Sequence, residues 1–304
     1  MNKAFKRTLK KNPVIYRYAS LIKQYHHMHF LDEMNYTKKK FRKEVGRDID
    51  LENPRSYNDK LHWLKFNWRN DLATTCSDKY FVRDYVISKG LGDILNEIHG
   101  VFDNVDEINI DELPEKFVLK ANHGSGWLSI CADRNNYNWK REKYKLDTWM
   151  KLNFYYKNQE WVYKDIKPKI ICEKYLGTED GSLPKDYKIY CFNGIPKFID
   201  VCHEREKGLK VDLYDLGWIK QSVDKGNGMS DRILPRPVNY EYMLEIARTL
   251  SAPFPHSRID LYEVSGKVFF GEITLSPGNG SYVFTPEKYD YIFGDMLKLP
   301  ELQK

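Results

Sequence analysis

Two acidic residues that could hold a metal ion lie on consecutive predicted strands, 257–264 and 267–275. If the turn between these strands has an odd number of residues centred on Gly266, Asp260 and Glu272 lie directly opposite each other. Opposed carboxylates repel each other, and a divalent cation removes that repulsion. Because Mg²⁺ prefers a few carboxylates together with phosphate oxygens and water, the hairpin predicts a magnesium site beside a phosphate-bearing ligand. The alternative is a pair of solvated surface acids.

A loop that could bind phosphate lies earlier in the sequence, at Lys120-Ala-Asn-His-Gly-Ser-Gly126. It joins predicted strands at 116–120 and 127–131. Its two glycines let backbone N–H groups turn towards an anion, and the lysine adds a point charge. The loop therefore fits a lid over a triphosphate, although an ordinary glycine-containing hairpin turn has the same pattern. His123 is compatible with a ligand and equally with a polar loop residue.

A third set of polar residues lies at the end of the predicted strand 169–175. Glu173 and Lys174 follow the apolar run Ile170-Ile-Cys172. A carboxylate can accept a hydrogen bond from the exocyclic amine of adenine while the adjacent backbone pairs with a ring nitrogen. The strand end therefore suits an adenine edge, and a plain strand that ends at the surface is the alternative.

Helices and hairpins must position these three sets. Apolar spacing predicts four helices, at 57–69, 78–89, 140–155 and 238–250. Ser56 is the candidate cap of the first helix and Gly90 the stop signal of the second. The predicted strands 186–192 and 195–202 flank Asn193-Gly194, a strong hairpin signal. Together these elements predict an α+β protein with antiparallel hairpins.

The first 50 residues carry all of the excess positive charge. They hold 13 Lys+Arg against 5 Asp+Glu, a balance of +8, whereas the remainder holds 36 against 38, a balance of −2. A moderate helical rhythm of large residues accompanies the charge: Tyr16, Tyr18, Leu21, Ile22 and Tyr25. Such a segment suits nucleic acid, an anionic membrane surface or an acidic glycan, and a solvated lysine-rich helix is the alternative.

Composition and missing motifs exclude several classes of protein. The 304 residues are 41% hydrophobic and 14% aromatic, which excludes a mainly disordered chain. No uncharged run reaches the roughly 18 residues of a membrane-spanning helix, and no apolar stretch follows the basic start as in a secretory signal. P-loop, dinucleotide-binding and GxSxG patterns do not occur. Dispersed cysteines predict reduced, buried thiols in a cytoplasmic protein: Cys76, Cys131, Cys172, Cys191 and Cys202.

The motifs, taken in their order along the chain, resemble those of the ATP-grasp superfamily. They are Asp78-Lys79 at the start of a helix, Lys120 before a glycine loop, Glu173-Lys-Tyr-Leu176, Asp186-Tyr-Lys188, Arg258-Ile-Asp260 and Glu272-Ile-Thr274. Three phrases, Pro54–Lys60, Ser77–Val86 and Asp186–Gly194, are more closely similar to the TupA-like (teichuronopeptide-biosynthesis) ATP-grasp family. Members of that family are associated with bacterial surface polysaccharide loci. The resemblance covers roughly residues 50–285.

The resemblance implies an ATP-grasp fold, in which two α+β subdomains clasp ATP after a helical N-terminal region. It divides the chain into a basic helical region at 1–74, a small subdomain with the glycine-loop lid at 75–172 and a large subdomain with the metal site at 173–304. It further implies that residues scattered from position 79 to position 274 surround one magnesium-bound ATP.

The resemblance also implies a role for each motif residue. The phosphates would be held by Lys79, Lys120 and the loop residues His123, Gly124, Ser125 and Gly126. Adenine and ribose would be bound by Glu173, Lys174, the backbone of Tyr175 and Leu176, and Asp186. The metal ligands would be Asp260, Glu272 and Thr274, where the superfamily usually has an asparagine in place of the threonine. Arg258 would face the transferred group, and Lys188, Asp186 or the substrate would accept a proton.

The activity implied is ATP-dependent ligation of a carboxylate to an amine through an acylphosphate, with ATP and Mg²⁺ as cofactors. In a polysaccharide locus the carboxylate is a hexuronic acid of a surface or capsular polysaccharide or its precursor, and the amine is an amino acid or a simple amine. The basic N-terminal segment suits peripheral association with the inner membrane face. Nucleic acid is not expected as a partner, because the opposed acids would repel a polyanion.

Two other functions stay open on the sequence. Asp48-Ile-Asp50 spells the DxD of many glycosyltransferases, although it lies in a polar stretch before Pro54 and not after an apolar strand. A non-catalytic glycan-binding module would use the basic first 50 residues and the 22 tyrosines, since aromatic rings stack on sugars.

Overall fold

The computed structural model describes residues 12–178, 183–204 and 208–301, and in these ranges five α-helices precede the first strand and runs of strands and helices follow. Within these ranges there are nine α-helices: α1 Pro13–Phe30, α2 Glu33–Val45, α3 Tyr57–Asn67, α4 Asp71–Ser77, α5 Val82–Ser88, α6 Trp139–Met150, α7 Tyr155–Asn158, α8 Tyr240–Ser251 and α9 Lys288–Met296. The same ranges contain ten strands: β1 Ile98–Phe102, β2 Phe117–Ala121, β3 Leu128–Cys131, β4 Ile170–Lys174, β5 Asp186–Phe192, β6 Ile195–His203, β7 Lys210–Asp215, β8 Lys220–Gln221, β9 His256–Val264 and β10 Lys267–Thr274. Residues 1–11 of the basic segment lie outside the described residues.

The first of two structural units contains a four-stranded antiparallel sheet. Of the described residues it comprises 12–36, 78–80 and 96–175, and the order of its strands is β1-β4-β2-β3. Alternate residues of β2 are buried, and α6 packs against this strand with Leu146 and Trp149 buried. The period of two in β2 therefore covers one face of the sheet with apolar side chains.

The second unit contains a six-stranded antiparallel sheet. It comprises residues 37–77, 81–95, 176–178, 183–204 and 208–301; the strand order is β10-β9-β5-β6-β7-β8. Helix α8 packs against β5, β6 and β9 on one face. Helices α3 and α9 pack together on the other face, over an aromatic core that includes Tyr57, Phe192, Phe198 and Phe293. The three-part division of the chain at residues 74 and 172 stays a prediction.

Arg47 ties three segments of the second unit together. Its guanidinium donates to Asp59 Oδ1 at 2.8 Å, to Asp290 Oδ2 at 2.9 Å and to Ser56 Oγ at 2.6 Å. Both carboxylates are buried. Ser56 Oγ also accepts from the backbone N–H of Asp59 at 3.1 Å, which confirms the predicted cap of α3. Buried carboxylates need such partners, so Arg47 joins α3 and α9 electrostatically.

Both predicted hairpins are confirmed. Asn193 and Gly194 have φ values of 50° and 78°, and Ser265 and Gly266 have values of 49° and 73°. Two consecutive positive φ angles are typical of the type I′ turn, whose twist matches that of the flanking strands.

The five cysteines are free and buried, as predicted. No helix in the three described ranges is long and apolar enough to span a membrane.

The predicted helix at 78–89 is wrong in its first turn. Helix α4 ends at Ser77, and α5 begins only at Val82. Asp78 Oδ1 accepts from the backbone N–H of Tyr80 at 2.8 Å, so the aspartate forms a turn where a helix start was predicted. The predicted helix at 140–155 is likewise two helices, because Asn153 Oδ1 accepts from the N–H of Tyr155 at 2.9 Å and starts α7.

The predicted apolar rhythm of the N-terminal helix does not mark a buried face. Tyr18, Ile22 and Tyr25 are exposed on α1, whereas His27 is its buried residue. Polar contacts to the rest of the first unit hold this helix, as described below. Strands β1, β7 and β8 were not predicted, because none carries a strong turn or alternation signal.

Candidate active site

A row of charged side chains crosses four strands of the six-stranded sheet. Glu272 on β10 pairs with Asp260 on β9, which pairs with Lys188 on β5, which in turn pairs with Asp200 on β6. Residues that pair directly across antiparallel strands point to the same face of the sheet. All four therefore lie on the face that, further along the strands, packs on the aromatic core under α3 and α9.

The predicted opposition of Asp260 and Glu272 is confirmed, but for a different reason. The turn is even, with two residues, and the pairing instead depends on a register shift in β10 between Phe270 and Glu272. Gly271 is the extra residue of this bulge. If the register continued unbroken from the turn, Gly271 would pair with Asp260, and Glu272 would pair with Ile259 and point to the face covered by α8. A Cβ at position 271 would lie 2.9 Å from the carbonyl oxygen of Asp260, which is why glycine fits there.

Two cations hold Asp260 in place. Arg258 donates to both of its carboxylate oxygens, from Nε to Oδ1 at 2.6 Å and from Nη2 to Oδ2 at 2.7 Å. Lys188 Nζ donates to the same carboxylate and lies 2.6 Å from Asp186 Oδ2. Because the side chain of Asp260 is only 2% exposed, this bidentate and ion-paired geometry is what allows a carboxylate to remain here.

The two cations stay protonated in this environment. Burial alone would lower the pKa of Lys188, but the carboxylates of Asp260 and Asp186 outweigh it and the pKa is raised. Burial likewise opposes the charge of Arg258, and Asp260 again reverses the effect, so that the pKa of Arg258 lies well above its ordinary value. Burial raises the pKa of Asp260 despite these partners. A protonated lysine has no lone pair, so Lys188 is suited to stabilise negative charge and not to accept a proton.

Glu272 and Thr274 complete this cluster at its more open side. Arg258 Nη2 donates to Glu272 Oε1 at 3.3 Å and to Thr274 Oγ1 at 3.2 Å. Thr274 Oγ1 donates to Glu272 Oε1 at 3.1 Å, so the two residues share a face as predicted. The side chain of Glu272 is 28% exposed, compared with 2% for Asp260. Glu272 is therefore the carboxylate that a ligand reaches first.

The donor set fits magnesium and does not fit a metal held by protein ligands alone. Over the described part of the chain, no group of three His, Cys, Asp or Glu residues is placed to hold an ion. Two carboxylates and a hydroxyl remain, from Asp260, Glu272 and Thr274. Mg²⁺ is usually bound through one or two carboxylates, with substrate phosphates and water as its other ligands. This set therefore suits a magnesium ion that arrives with a nucleotide.

A second ion pair, which no sequence motif indicated, adjoins the charged row. Lys225 Nζ donates to Asp200 Oδ2 and lies 4.4 Å from the centre of the Tyr190 ring. Tyr190 Oη donates to the same carboxylate oxygen at 3.0 Å and lies 3.0 Å from Tyr282 Oη. Burial lowers the pKa of Lys225, although Asp200 opposes this. The charged face therefore continues into a buried patch of tyrosines with a lysine at its centre.

Only part of this patch could be found from the sequence. Alternation along β5 places Tyr190 on the face of Asp186 and Lys188. Asp200 reaches that face because of another register shift, between Tyr190 and Cys191, which has no sequence signal comparable to the Asn-Gly turn. Lys225 lies outside the helices and strands, where no periodicity predicts a direction.

Two residues of the first unit that were predicted to bind the nucleotide contact each other directly. Lys120 Nζ on β2 donates to Glu173 Oε2 on β4 at 2.6 Å, since the two strands are neighbours in the sheet. Asn96 Nδ2 donates to Glu173 Oε2 at 3.2 Å and to the carbonyl of Lys174 at 2.8 Å. The predicted phosphate-binding lysine and the predicted adenine-binding glutamate thus form one pair on the surface of this sheet.

Buried polar contacts support the glycine loop from below. Asn122 Nδ2 donates to Asp78 Oδ2 at 2.9 Å, and Lys79 Nζ donates to the carbonyl of Gly124 at 2.6 Å. His123 is buried, and its Nε2 lies 3.1 Å from the carbonyl oxygens of both Trp149 and Leu152. These contacts give the imidazole a supporting role.

The tip of the loop remains open. Ser125 and Gly126 are exposed, and Gly126 has a φ of 71°. A Cβ at Gly124 would lie 2.5 Å from the Trp127 ring, so the loop requires glycine at that position. The residues at the tip are therefore the part of the loop whose backbone N–H groups are available to an anion.

The DxD pattern does not form a site. Arg42 holds Asp48 in a bidentate pair, with 2.6 Å from Nη2 to Oδ2. Asp50 Oδ1 accepts from the backbone N–H groups of Glu52 and Asn53 at 3.0 and 2.8 Å. Both carboxylates take part in local structure, so the glycosyltransferase interpretation loses its motif.

Comparisons with known proteins give a family match by sequence and similarities to solved structures. The sequence matches the family described as TupA-like ATPgrasp over residues 59–298, and no curated protein matches it. Among solved structures, the chain is similar to a D-alanine–D-alanine ligase from Bacillus anthracis complexed with ATP, at 14% identity over 73% of this chain and 63% of that chain, with a TM-score of 0.41. It is also similar to the D-alanine–D-alanine ligase of Helicobacter pylori, at 16% identity over 81% and 70%, with a TM-score of 0.47. The chain thus spans less than two thirds of the Bacillus anthracis protein.

The family match covers most of the chain and contains every predicted site residue from Lys79 to Thr274. The fold expected from the sequence, two α+β units with antiparallel sheets and helices before them, is present in the described residues. ATP-grasp proteins are ligases, and ATP with Mg²⁺ is their usual cofactor. The chain belongs to the TupA-like ATP-grasp family.

Proposed function

We propose that this protein is an ATP-dependent carboxylate–amine ligase. It forms an amide between a hexuronic acid of a bacterial surface or capsular polysaccharide, or its precursor, and an amino acid or a simple amine. The observation that carries the proposal is Arg258, which bridges Asp260, Glu272 and Thr274 at the end of the row of charges. A guanidinium beside a magnesium-type donor set suits phosphoryl transfer to a carboxylate.

The nucleotide-binding roles are assigned as the family resemblance implies. Lys79, Lys120 and the exposed tip of the glycine loop contact the phosphates, and His123 supports the loop. The adenine base is bound by Glu173, Lys174 and the backbone of Tyr175 and Leu176. Asp186 takes the ribose hydroxyls, with Lys188 as its ion-pair partner. Support for these roles comes from the family match and from the direct Lys120–Glu173 contact.

Asp260, Glu272 and Thr274 are assigned to magnesium. A bound magnesium ion neutralises phosphate charge and orients the triphosphate. Since Arg258 now donates to all three side chains, the proposal requires the guanidinium to be shared between these residues and the substrate.

The reaction needs positioning and charge stabilisation more than covalent help from the protein. A substrate carboxylate oxygen attacks the γ-phosphorus of ATP, the bond to the β–γ bridging oxygen breaks, and an acylphosphate and ADP result. The amine then attacks the acyl carbon, phosphate leaves, and a proton passes from the amine to Asp186 or to the substrate. Arg258 and Lys188, both protonated, stabilise the negative charge that develops at each step.

The polysaccharide substrate is inferred from the family resemblance and from charge. Members of the family are associated with surface polysaccharide loci, where uronic acids supply carboxylates. The balance of +8 in residues 1–50 suits an acidic glycan or a lipid-linked intermediate. The same charge suits peripheral association with the cytoplasmic face of the inner membrane.

The test is amide formation that requires both substrates. Purified protein with ATP and Mg²⁺ is given a panel of free and UDP-linked uronic acids with pooled amino acids and amines. ADP release that depends on both substrates, with the amide product seen by mass spectrometry, is the expected result. Asp260→Asn and Arg258→Met should abolish it, whereas Glu241→Gln, an exposed acid on α8, should not. ADP release that no amine increases, over the whole panel, would contradict the proposal.

A further inference from the structure

Helix α1 presents its apolar side to solvent. The exposed fractions are 62% for Tyr18, 69% for Ile22, 60% for Tyr25 and 70% for Phe30. At 100° per residue, Tyr18, Ile22 and Tyr25 fall on one side of the helix, together with Val14. We call this side, with Val14, Ile15, Tyr18, Ile22, Tyr25 and Phe30, the outer face of α1.

Polar contacts hold the opposite side of α1 to the first unit. Arg17 Nη1 donates to Asp147 Oδ2 on α6 at 2.6 Å, and Gln24 Oε1 accepts from the N–H of Asn153 at 2.7 Å. His27 Nδ1 lies 2.5 Å from the carbonyl oxygen of Tyr156 on α7. These contacts fix the rotation of the helix. The outer face is therefore turned away from the unit by the packing itself.

A helix with its apolar side outwards needs a partner, because contiguous exposed apolar surface marks an interaction site. We infer that the outer face of α1 docks on an anionic membrane surface. The family match begins at residue 59, so this helix lies outside the part of the chain that the match covers. The inference does not depend on the ligase activity.

Charge favours a membrane over a second copy of the chain. Residues 1–31 contain seven Lys and Arg and no Asp or Glu. A second copy of the chain carries the same excess of positive charge in this part of its sequence, and like charges repel. Anionic lipid headgroups are instead complementary, and each basic residue near the surface adds to binding.

The residue types on the outer face also suit an interface. Tyrosine rings combine an apolar body with a polar hydroxyl and are enriched where membrane meets water. Tyr18 and Tyr25 flank Ile22, so an aliphatic centre lies between two aromatic residues. An amphipathic helix of this kind lies in the plane of the membrane, with its apolar side in the headgroup region.

The test is flotation of the full-length protein with lipid vesicles. Binding to vesicles with about 30 mol% phosphatidylserine is expected, with weak binding to pure phosphatidylcholine and a loss of binding as salt is raised. The double variant Tyr18→Ser/Ile22→Ser should reduce partitioning by about ten-fold or more. The control Ile233→Ser/Val238→Ser removes two exposed apolar side chains elsewhere and should bind as the unmodified protein does.

Three outcomes would overturn the inference. They are no binding to anionic vesicles, equal binding by the α1 variant and the unmodified protein, and a dimer in light scattering that the α1 variant abolishes. The last outcome would identify a second copy of the chain as the partner. Because flotation and light scattering do not depend on turnover, each result stands apart from the outcome of the ligase assay.

Discussion

Glu272 lies directly opposite Asp260 because Gly271 is left unpaired in a bulge of β10. The bulge moves Glu272 from the face covered by α8 to the face that carries Arg258 and Lys188. Whether Gly271 is bulged out or paired in the ladder thus decides whether the two carboxylates meet or lie on opposite sides of the sheet.

The Gly271→Ala variant should lose activity through this relationship. The new Cβ would lie 2.9 Å from the carbonyl oxygen of Asp260, so one of the two strands must shift. We expect at least a ten-fold loss of turnover and a cost of about 1–3 kcal/mol in the free energy of unfolding. Gly92→Ala is the control, since its Cβ would meet Ile87 at an ordinary 3.6 Å. Full activity of Gly271→Ala would show that the register does not matter.

The Lys225→Met variant should destabilise the second unit. It leaves Asp200 buried next to Tyr190 without its cation, at an expected cost of about 3–5 kcal/mol in urea unfolding at neutral pH. Replacing both partners, in Lys225→Met/Asp200→Leu, should restore most of this loss.

An exposed ion pair provides the comparison for this experiment. Lys143 lies 2.8 Å from Asp106 at the surface of the first unit, and Lys143→Met should cost less than about 1 kcal/mol. Equal costs for Lys143→Met and Lys225→Met would mean that Asp200 does not depend on its partner.

If Lys120 holds a phosphate as we propose, Lys120→Met should raise the KM for ATP by about ten-fold or more, because a charge-assisted hydrogen bond to that phosphate would be lost. Lys116→Met removes the same charge from an exposed position just before β2 and should leave the KM unchanged. Steady-state kinetics with varied ATP checks both. If both variants raise the KM for ATP equally, Lys120 acts only through the overall electrostatic field of the protein and not through a direct contact with the nucleotide.

His256 should make stability depend on pH in the acidic range. Burial lowers its pKa to about 3 from an ordinary 6.5, although the Leu275 carbonyl raises it slightly. Between these values the unfolded chain binds a proton that the folded chain does not. Above pH 6.5, His256 therefore does not reduce the free energy of unfolding. As the pH falls from 6.5 to about 3, His256 lowers the free energy of unfolding by about 1.4 kcal/mol for each pH unit.

The measurement is urea unfolding at pH 6.5 and 5 with and without His256→Gln. The glutamine can still accept from Tyr57 Oη, which now lies 2.9 Å from His256 Nε2. The loss of stability between the two pH values should be about 2 kcal/mol smaller in the variant. His62 and His123, whose pKa values burial also lowers, contribute to both proteins and cancel in the difference. Equal losses of stability in the two proteins would mean that groups other than His256 cause the acid sensitivity.

Local turn chemistry made much of the second sheet predictable. Asn193-Gly194 and Ser265-Gly266 set two hairpins, and alternation then placed Asp186, Lys188 and Tyr190 on one face. The faces of Asp186, Lys188 and Tyr190 follow from these short-range rules, whereas the pairing of Glu272 with Asp260 and of Asp200 with Lys188 depends on register shifts that the turns do not indicate.

Features set by tertiary contacts were not predictable in this way. Asp78 looked like a helix start, but Asn122, 44 residues away, holds its carboxylate in a turn. His123 looked like a loop residue open to a ligand, and the carbonyls of Trp149 and Leu152 instead bury it. The outer face of α1 had the spacing of a core helix. Periodicity shows that a helix has an apolar side and does not show what covers it.

The guanidinium of Arg47 limits how far the protein can be shortened. The family match begins at Asp59, yet the carboxylates of Asp59 and Asp290 both rely on this arginine, twelve residues upstream. A fragment cut at residue 59 would leave two buried carboxylates without this cation and would lose Tyr57 from the aromatic core. Any autonomous version of the sheet that carries Arg258 must therefore retain a stretch of chain that family similarity alone would discard.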